Sequence, residues 1–167
     1  QTVERYASRA QLLDYCRRSA NPVGRIVLGL ANCRSHEQFA LSDSICTGLQ
    51  LVNFWQDVRR DYLAGRIYIP AEDMRRHGVS EAMLELPAAS PEFISLLTEE
   101  VAWAEACFDR GQSLVKTAPI VLRPAIRLFL EGGRGVANAI RHTGFDTLAK
   151  RPTLSKSTKL RLAGQAA

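Results

Sequence analysis

Four polar side chains recur on one stripe of a predicted helix near the middle of the chain. They are Gln50, Asn53, Asp57 and Asp61, and at about 100° per residue they fall within a stripe about 80° wide. The neighbouring sector of this helix is apolar and contains Leu51, Phe54, Trp55, Val58 and Tyr62. The pattern predicts a helix that packs on one side and presents two carboxylates in register on the other.

Two carboxylates one helical turn apart repel each other by a few tenths of a kcal/mol when exposed. A divalent cation would reverse that cost, because hard cations prefer carboxylate and amide oxygens. Magnesium would keep several waters and take its remaining ligands from a substrate phosphate. The spacing of Asp57 and Asp61 suits such a site, but it also suits an ordinary solvated helix face, and the spacing alone does not decide between them.

A helix over 35–62 must position the stripe, and the rest of the chain also reads as helical. Asn21-Pro22 predicts a break or the first turn of a new helix, and Ser90-Pro91 predicts a capped helix start. The other expected helical segments are 11–18, 26–30, 71–79, 91–117, one that ends near 142, and 155–162. Sustained strand alternation and internal repeats are absent from the sequence, so we predict an all-α fold.

Composition describes an ordinary globular domain and excludes several classes of protein. The chain has 167 residues, 46% of them hydrophobic and 23% charged, which is enough for one domain with a buried core. It contains no apolar run of transmembrane length and no secretory pattern at its start. Its four cysteines are widely spaced, so we do not expect them to bind a metal. We expect reduced cysteines and a cytoplasmic protein.

The net charge of +5 is concentrated toward the end of the chain, at Lys150, Arg151, Lys156, Lys159 and Arg161. Such an end can bind nucleic acid, an anionic membrane surface or a phosphorylated small molecule, or it can be a solvated basic surface. The basic segment has no interleaved aromatic residues and the chain has no recognised nucleic-acid module. We therefore expect no nucleic-acid partner, and we hypothesise peripheral contact with the inner face of the membrane.

Three segments together resemble the squalene/phytoene synthase family over almost the whole chain. The string from Gln50 to Asp61, followed by Gly65-Arg66-Ile67-Tyr68-Ile69-Pro70, resembles that family's second aspartate-rich motif. The segment 15–24 is similar to a tyrosine-containing helix that breaks near a Val-Gly pair, and 144–152 is similar to the end of the last major helix. The resemblance implies an all-α, isoprenoid synthase-type helical bundle.

Within the family, 19–24 and 53–57 look most like the bacterial hopanoid-pathway (HpnC-type) squalene synthases. That resemblance implies magnesium-dependent ionisation of presqualene diphosphate, with rearrangement and water capture to hydroxysqualene. Alternatives are head-to-head condensation of two prenyl diphosphates, such as farnesyl diphosphate, to presqualene diphosphate or phytoene, and a non-catalytic assembly or binding role. The partners implied are the prenyl diphosphate substrate and, functionally, other hopanoid-pathway enzymes.

Roles for individual residues follow from the same resemblance. Asp57 and Asp61 are the expected magnesium ligands and catalytic residues, and Gln50 and Asn53 are expected to contact the diphosphate or the metal's ligands. Arg66 is a candidate diphosphate ligand, although a surface arginine beside a turn would look the same.

Aromatic and apolar residues are harder to assign from the sequence. Tyr15 is a candidate catalytic tyrosine, as a proton-handling hydroxyl or a cation-stabilising ring, or it is a core tyrosine. Tyr68 is expected to pack behind the motif. The apolar residues that could line a substrate tunnel or form the core, with the core preferred for each, are Ile26, Val27, Leu28, Phe54, Phe129 and Leu130.

The family uses two aspartate-rich motifs, and this sequence contains only the second. Asp14 stands alone and Asp43 has no acidic partner at helical spacing. We therefore expect 1–167 to be the C-terminal part of a squalene/phytoene synthase domain, without the N-terminal half that carries the first motif. By this hypothesis the chain exposes apolar helix faces and has no turnover alone.

Overall fold

The computed structural model describes residues 4–154 and Gly164, and this part of the chain is built from helices. Its α-helices are α1 (Arg9–Ser19), α2 (Asn21–Leu30), α3 (His36–Gln56), α4 (Val58–Leu63), α5 (Ala71–Arg76), α6 (Pro91–Gly111), α7 (Leu114–Thr117) and α8 (Arg123–His142). Short 3-10 helices cover Glu81–Glu85 and Ile120–Leu122. The predicted all-α fold is confirmed, whereas the helix expected at 155–162 lies outside the described residues.

Helix α3 is the centre of the bundle, and α2, α6 and α8 pack around it. Its buried face carries Leu51, Val52 and Trp55, and α6 contributes Phe93, Leu97 and Phe108 to the same core. Helix α6 begins as the sequence predicts, because Ser90 Oγ accepts a hydrogen bond from the Phe93 N–H at 3.2 Å. The core therefore fixes α3, and with it the polar stripe on its other side.

Two glycines allow α8 and α3 to pack closely against the buried ring of Phe108. A Cβ atom on Gly133 would lie 2.4 Å from Phe108 Cζ, and one on Gly48 would lie 2.8 Å from Phe108 Cε1. A Cβ atom on Gly132 would have nothing within 4 Å. Of the two adjacent glycines in α8, Gly133 thus serves close helix approach.

The predicted helix over 35–62 is wrong in one respect, because the structure divides it at Asp57. Helix α3 ends at Gln56, α4 begins at Val58, and Asp57 between them has φ −104° and ψ 14°.

The loop after α4, which carries Arg66 and Tyr68, is hydrogen-bonded to residues 4–6. The Ile67 N–H donates to Glu4 O and the Ala71 N–H donates to Tyr6 O, each at 2.9 Å.

An apolar surface remains exposed on α2 and on the neighbouring part of α8. Its members and their exposed fractions are Val23 61%, Ile26 62%, Val27 40%, Leu30 82% and Phe129 54%. Leu28, Phe54 and Leu130 are buried as expected, but the preferred core assignment is wrong for Ile26, Val27 and Phe129 because they lie on this outer surface. A cavity of about 170 Å³ opens between α2, α3 and α8 beside Val27 and Phe129.

In the described region, no helix is both long enough and apolar enough to cross a membrane.

Candidate functional site

The break at Asp57 leaves the hydrogen-bonding of the helix continuous on both sides. The Asp57 N–H donates to Asn53 O at 3.0 Å, and the Asp61 N–H donates to Asp57 O at 2.8 Å. Asp57 and Asp61 therefore remain one turn apart, as the sequence predicted. Gln50 and Asn53 precede them on α3, where Asn53 is exposed and Gln50 is half-buried.

Asp61 lies in a more desolvated position than a surface aspartate. Burial raises the pKa of its carboxyl above the ordinary value, and the nearby Asp57 carboxylate raises it further. The positive charges of Arg66 and Arg60 lower this pKa and offset part of the increase. The carboxyl pair is thus a place where added positive charge would be stabilised.

Arg66 is held beside Asp61 by the turn that follows α4. Gly65 has φ +79°, a conformation that favours glycine, and the Arg66 N–H donates to Asp61 O at 2.9 Å. Arg66 Nη2 lies 3.7 Å from Asp61 Oδ1. The Nε atom of Arg66 is buried and has no hydrogen-bond partner among the described residues. The structure therefore brings Arg66 to the carboxyl pair.

Tyr15 belongs to an aromatic cluster next to the motif helix, together with Tyr6, Phe54 and Tyr68. Its ring centroid lies 5.7 Å from that of Tyr6, 6.2 Å from that of Phe54 and 6.1 Å from that of Tyr68. Tyr15 is half-buried, and Tyr68 is buried behind the motif as expected. The cluster joins α1, α3 and the loop after α4 into one wall.

Arg151 is a site residue that the sequence reasoning missed. Its Nε donates to Asp57 Oδ1 at 2.5 Å, and its Nη2 donates to Asp57 Oδ2 at 3.0 Å and to Gln56 Oε1 at 2.9 Å. The Gln56 amide donates in turn to Pro152 O at 2.5 Å. The hydrogen bond to Asp57 raises the pKa of Arg151 above its ordinary value. In the sequence, Arg151 is one of several basic residues near the end of the chain, and no local signal indicates its contact with Asp57.

Two cavities flank this contact and have basic walls. One of about 370 Å³ lies between α4 and 147–151, and its walls include Asp57, Arg59, Arg60, Lys150 and Arg151. The other, of about 490 Å³, lies between α8 and 150–154, and its walls include Asn138, His142, Lys150, Arg151 and Thr153. Carboxylates beside basic side chains provide ligands for a cation and for an anion at one place.

The donor atoms at the carboxyl pair fit magnesium if part of its coordination comes from elsewhere. Asp57 and Asp61 offer hard oxygen ligands, and Gln50 and Asn53 offer amide oxygens on the last turns of α3. In the part of the chain that the structure describes, no cluster of three or more His, Cys, Asp or Glu residues could hold a metal. Such a site would therefore need substrate phosphate, water or further protein ligands.

The helical bundle and the aspartate-rich stripe define the class: this is an isoprenoid synthase-type fold. The chain belongs to the squalene/phytoene synthase family, since the family model described as "Squalene/phytoene synthase" matches residues 1–158. This result confirms the resemblance seen in the sequence, including its likeness to the HpnC type.

The relatives include both hydroxysqualene synthases and phytoene synthases. The chain is 36% identical to a hydroxysqualene synthase of Sinorhizobium fredii over 115 residues, covering 68% of this chain and 39% of the relative. It is 29% identical to a phytoene synthase of Thermus thermophilus over 150 residues, covering 90% of this chain and 51% of the relative.

Solved structures show the same fold. Squalene synthase HpnC from Alicyclobacillus acidocaldarius superposes with a TM-score of 0.84 at 38% identity, covering 87% of this chain and 55% of that one. A dehydrosqualene synthase, solved in complex with ligand, superposes with a TM-score of 0.88 at 25% identity, covering 98% of this chain and 58% of that one. The chain thus spans between 39% and 58% of the length of these relatives.

Proposed function

We propose that this chain supplies the second aspartate-rich half of a magnesium-dependent enzyme that ionises presqualene diphosphate and captures water to give hydroxysqualene. The observation that carries the proposal is the pair Asp57 and Asp61, one turn apart, with Asp61 desolvated and Arg66 beside it. The hydroxysqualene synthase of Sinorhizobium fredii and HpnC of Alicyclobacillus acidocaldarius support this choice of reaction within the family.

In this proposal Asp57 and Asp61 hold the magnesium ions, and the amides of Gln50 and Asn53 complete the polar face toward the diphosphate. Bound magnesium would neutralise the charge that develops on the departing diphosphate. Arg66 donates charge-assisted hydrogen bonds to phosphate oxygens, for which its exposed guanidinium end is available. Together these residues bind and orient the leaving group.

The wall formed by Tyr6, Tyr15, Phe54 and Tyr68 is proposed to face the hydrocarbon part of the substrate. Aromatic rings stabilise a neighbouring cation through their π-faces, and a packed aromatic wall limits the entry of water. Tyr15 is the member we assign to catalysis, either through its ring or as a hydroxyl that handles a proton. Phe54 links the wall to α3, since it lies between Asn53 and Asp57 in sequence.

We propose further that residues 1–167 form the C-terminal part of the catalytic domain, and that an N-terminal half supplies the first aspartate-rich motif. The chain covers 55% of HpnC, and the apolar surface on α2 is a face that further helices of such a domain would cover. Without the additional carboxylates the chain should give no turnover. A cytoplasmic enzyme with peripheral contact at the membrane would suit an isoprenoid substrate.

Head-to-head condensation of two prenyl diphosphates is the second candidate. It is favoured by the phytoene synthase of Thermus thermophilus, which matches more of this chain than the Sinorhizobium fredii relative does. Supplying presqualene diphosphate and farnesyl diphosphate separately distinguishes the two reactions by their products. A purely non-catalytic role is disfavoured because both Asp57 and Asp61 are present.

The proposal is tested by Asp57→Asn in the protein joined or coexpressed with an N-terminal half that carries the first motif. We expect magnesium-dependent release of diphosphate from presqualene diphosphate to be abolished. Asp43→Asn is the matched control, because Asp43 lies on the same helix but fourteen residues before Asp57, about 21 Å along the helix axis, and pairs with Arg25. Unchanged release in the Asp57 variant would remove the central assignment.

A further inference from the structure

Residues 150–154, here called the strap, close over the end of α3. The strap is attached at two adjacent points: Arg151 binds Asp57 and Gln56, and Pro152 O accepts from the Gln56 amide. Pro152 is buried, which shows that the strap packs against the helix rather than lying free. These contacts join residues that are 94 to 96 positions apart.

Gln56 is the residue that fixes this geometry. Its side chain is buried, and both ends of its amide are used: the oxygen accepts from Arg151 and the nitrogen donates to Pro152 O. A buried amide with both groups paired has one preferred orientation, because turning it would leave a donor facing the guanidinium and an acceptor facing a carbonyl. Gln56 therefore sets where Arg151 can reach.

Arg151 uses both oxygens of Asp57, which are the atoms that a metal ion would need. The bidentate contact places positive charge on both oxygens of Asp57, which offsets the repulsion between Asp57 and Asp61. A divalent cation would do the same through the same lone pairs. The guanidinium and the cation are then alternatives at Asp57.

We propose that Gln56 is a positioning residue that holds Arg151 on Asp57, and that Arg151 is an internal counter-ion which a divalent cation must displace. This inference rests on the proposed function, because it deepens the use of the same carboxyl pair. It goes further in making the strap a regulator of metal uptake: the chain keeps Asp57 paired until metal and diphosphate arrive together.

The direct test measures Mn²⁺ binding to the chain in the presence of inorganic diphosphate, from the electron paramagnetic resonance signal of free Mn²⁺. Arg151→Gln should tighten Mn²⁺ binding about fivefold, as expected for removal of a partly exposed ion pair that competes for the ligand. Gln56→Met should tighten it in the same direction by a smaller factor, since Arg151 is then released but not removed. Asp57→Asn should abolish this binding.

Lys150→Gln is the matched control for charge. Lys150 is exposed and adjacent to Arg151, so its loss changes the net charge equally and the local field similarly without removing the contact to Asp57. If Lys150→Gln and Arg151→Gln change the affinity equally, the effect is long-range electrostatics and the inference is overturned. Weaker Mn²⁺ binding in Arg151→Gln would also overturn it, because Arg151 would then support the metal-bound state.

A second readout follows the strap itself. In the metal-free chain the Arg151 Nε–H should give a ¹⁵N-resolved signal that exchanges slowly with water, and this protection should be lost in Asp57→Asn and on addition of Mg²⁺ with diphosphate. A protected signal that is unchanged by Mg²⁺ binding overturns displacement while leaving the proposed function intact. Failure of both the unmodified chain and Arg151→Gln to bind Mn²⁺ would instead overturn the proposed function, and this inference with it.

Discussion

Phe54 and Tyr68 stack face to face, with ring centroids 3.7 Å apart and planes 8° apart. Phe54 belongs to α3, which ends immediately before Asp57, and Tyr68 belongs to the loop that carries Arg66. The stack therefore connects the two parts of the motif. Removing the ring should loosen the loop and the site together.

Tyr68→Leu should lower the free energy of unfolding by about 1–3 kcal/mol, because a buried aromatic pair is replaced by a smaller side chain that cannot stack. Urea denaturation followed by tryptophan fluorescence measures this change. Tyr68→Phe is the control, since it keeps the ring on Phe54 and changes only the hydroxyl. A loss in the leucine variant no larger than in the phenylalanine variant would show that the ring stack contributes little.

Replacing each of the two adjacent glycines of α8 by alanine should change the free energy of unfolding in opposite directions. Gly133→Ala should destabilise the fold by about 1–3 kcal/mol, since its Cβ would meet Phe108 Cζ at 2.4 Å and that ring is fully buried. Gly132→Ala should stabilise it by about 0.5–1 kcal/mol, because alanine is the better helix former and its Cβ would meet nothing within 4 Å. Thermal unfolding of the two single variants checks both signs, and equal shifts would contradict the close-approach explanation.

Arg66→Gln should weaken binding of diphosphate with Mg²⁺ roughly tenfold, because a charge-assisted donor next to Asp61 is replaced by a neutral one. Titration calorimetry with inorganic diphosphate gives the affinity. Arg75→Gln provides the comparison, since Arg75 is exposed on α5 and its loss changes the net charge equally. The same loss in both variants would point to the overall charge of the chain, and Arg66 would then be an ordinary surface residue.

Local patterns in the sequence were sufficient for the parts of the site that lie on one helix. The spacing of Asp57 and Asp61 placed them one turn apart, and the structure keeps that relation even though the helix is interrupted at Asp57. The interruption itself was not predictable, because Gln56, Asp57 and Val58 carry no strong helix breaker. The side chain at the interruption binds Arg151 of the strap, a contact that local patterns do not contain.

Contacts between segments distant in the sequence could not be predicted from local sequence patterns. Arg151 meets Asp57 across 94 residues, and nothing in the composition of either segment specifies which acid an arginine will meet. The exposure of Ile26 and Phe129 was misjudged for a related reason: apolar residues on a helix indicate a packing face, but not whether that face is covered. The same limit concealed a buried acidic group on α6.

That group is Glu100, whose side chain is fully buried between α1 and α5. Arg9 Nη2 lies 3.3 Å from Glu100 Oε1, and Arg9 Nε lies 2.8 Å from Asp73 Oδ2, so one guanidinium serves two buried carboxyls. Arg76 Nη2 supports Asp73 at 2.6 Å. Burial, followed by the repulsion from Asp73, raises the pKa of Glu100 from 4.5 to about 8.

This raised pKa makes stability depend on pH in a defined window. Between pH 4.5 and about 8 the folded chain holds a proton on Glu100 that the unfolded chain has lost. Stability from this group is therefore complete below 4.5 and declines as the pH rises to about 8, with a slope of up to about 1.4 kcal/mol per pH unit. The neighbouring Glu99 does not add to this window, because His77 and two arginines lower its pKa to about 2.

Glu100→Gln should remove that slope, because glutamine stays neutral while it can still accept from Arg9 and donate to Asp73. Urea unfolding of both chains from about pH 5 to about pH 8 measures the difference. We expect the variant to gain stability relative to the parent as the pH rises. Parallel curves for the two chains would mean that Glu100 is already ionised in the folded state, and Arg9 would then be holding two buried negative charges.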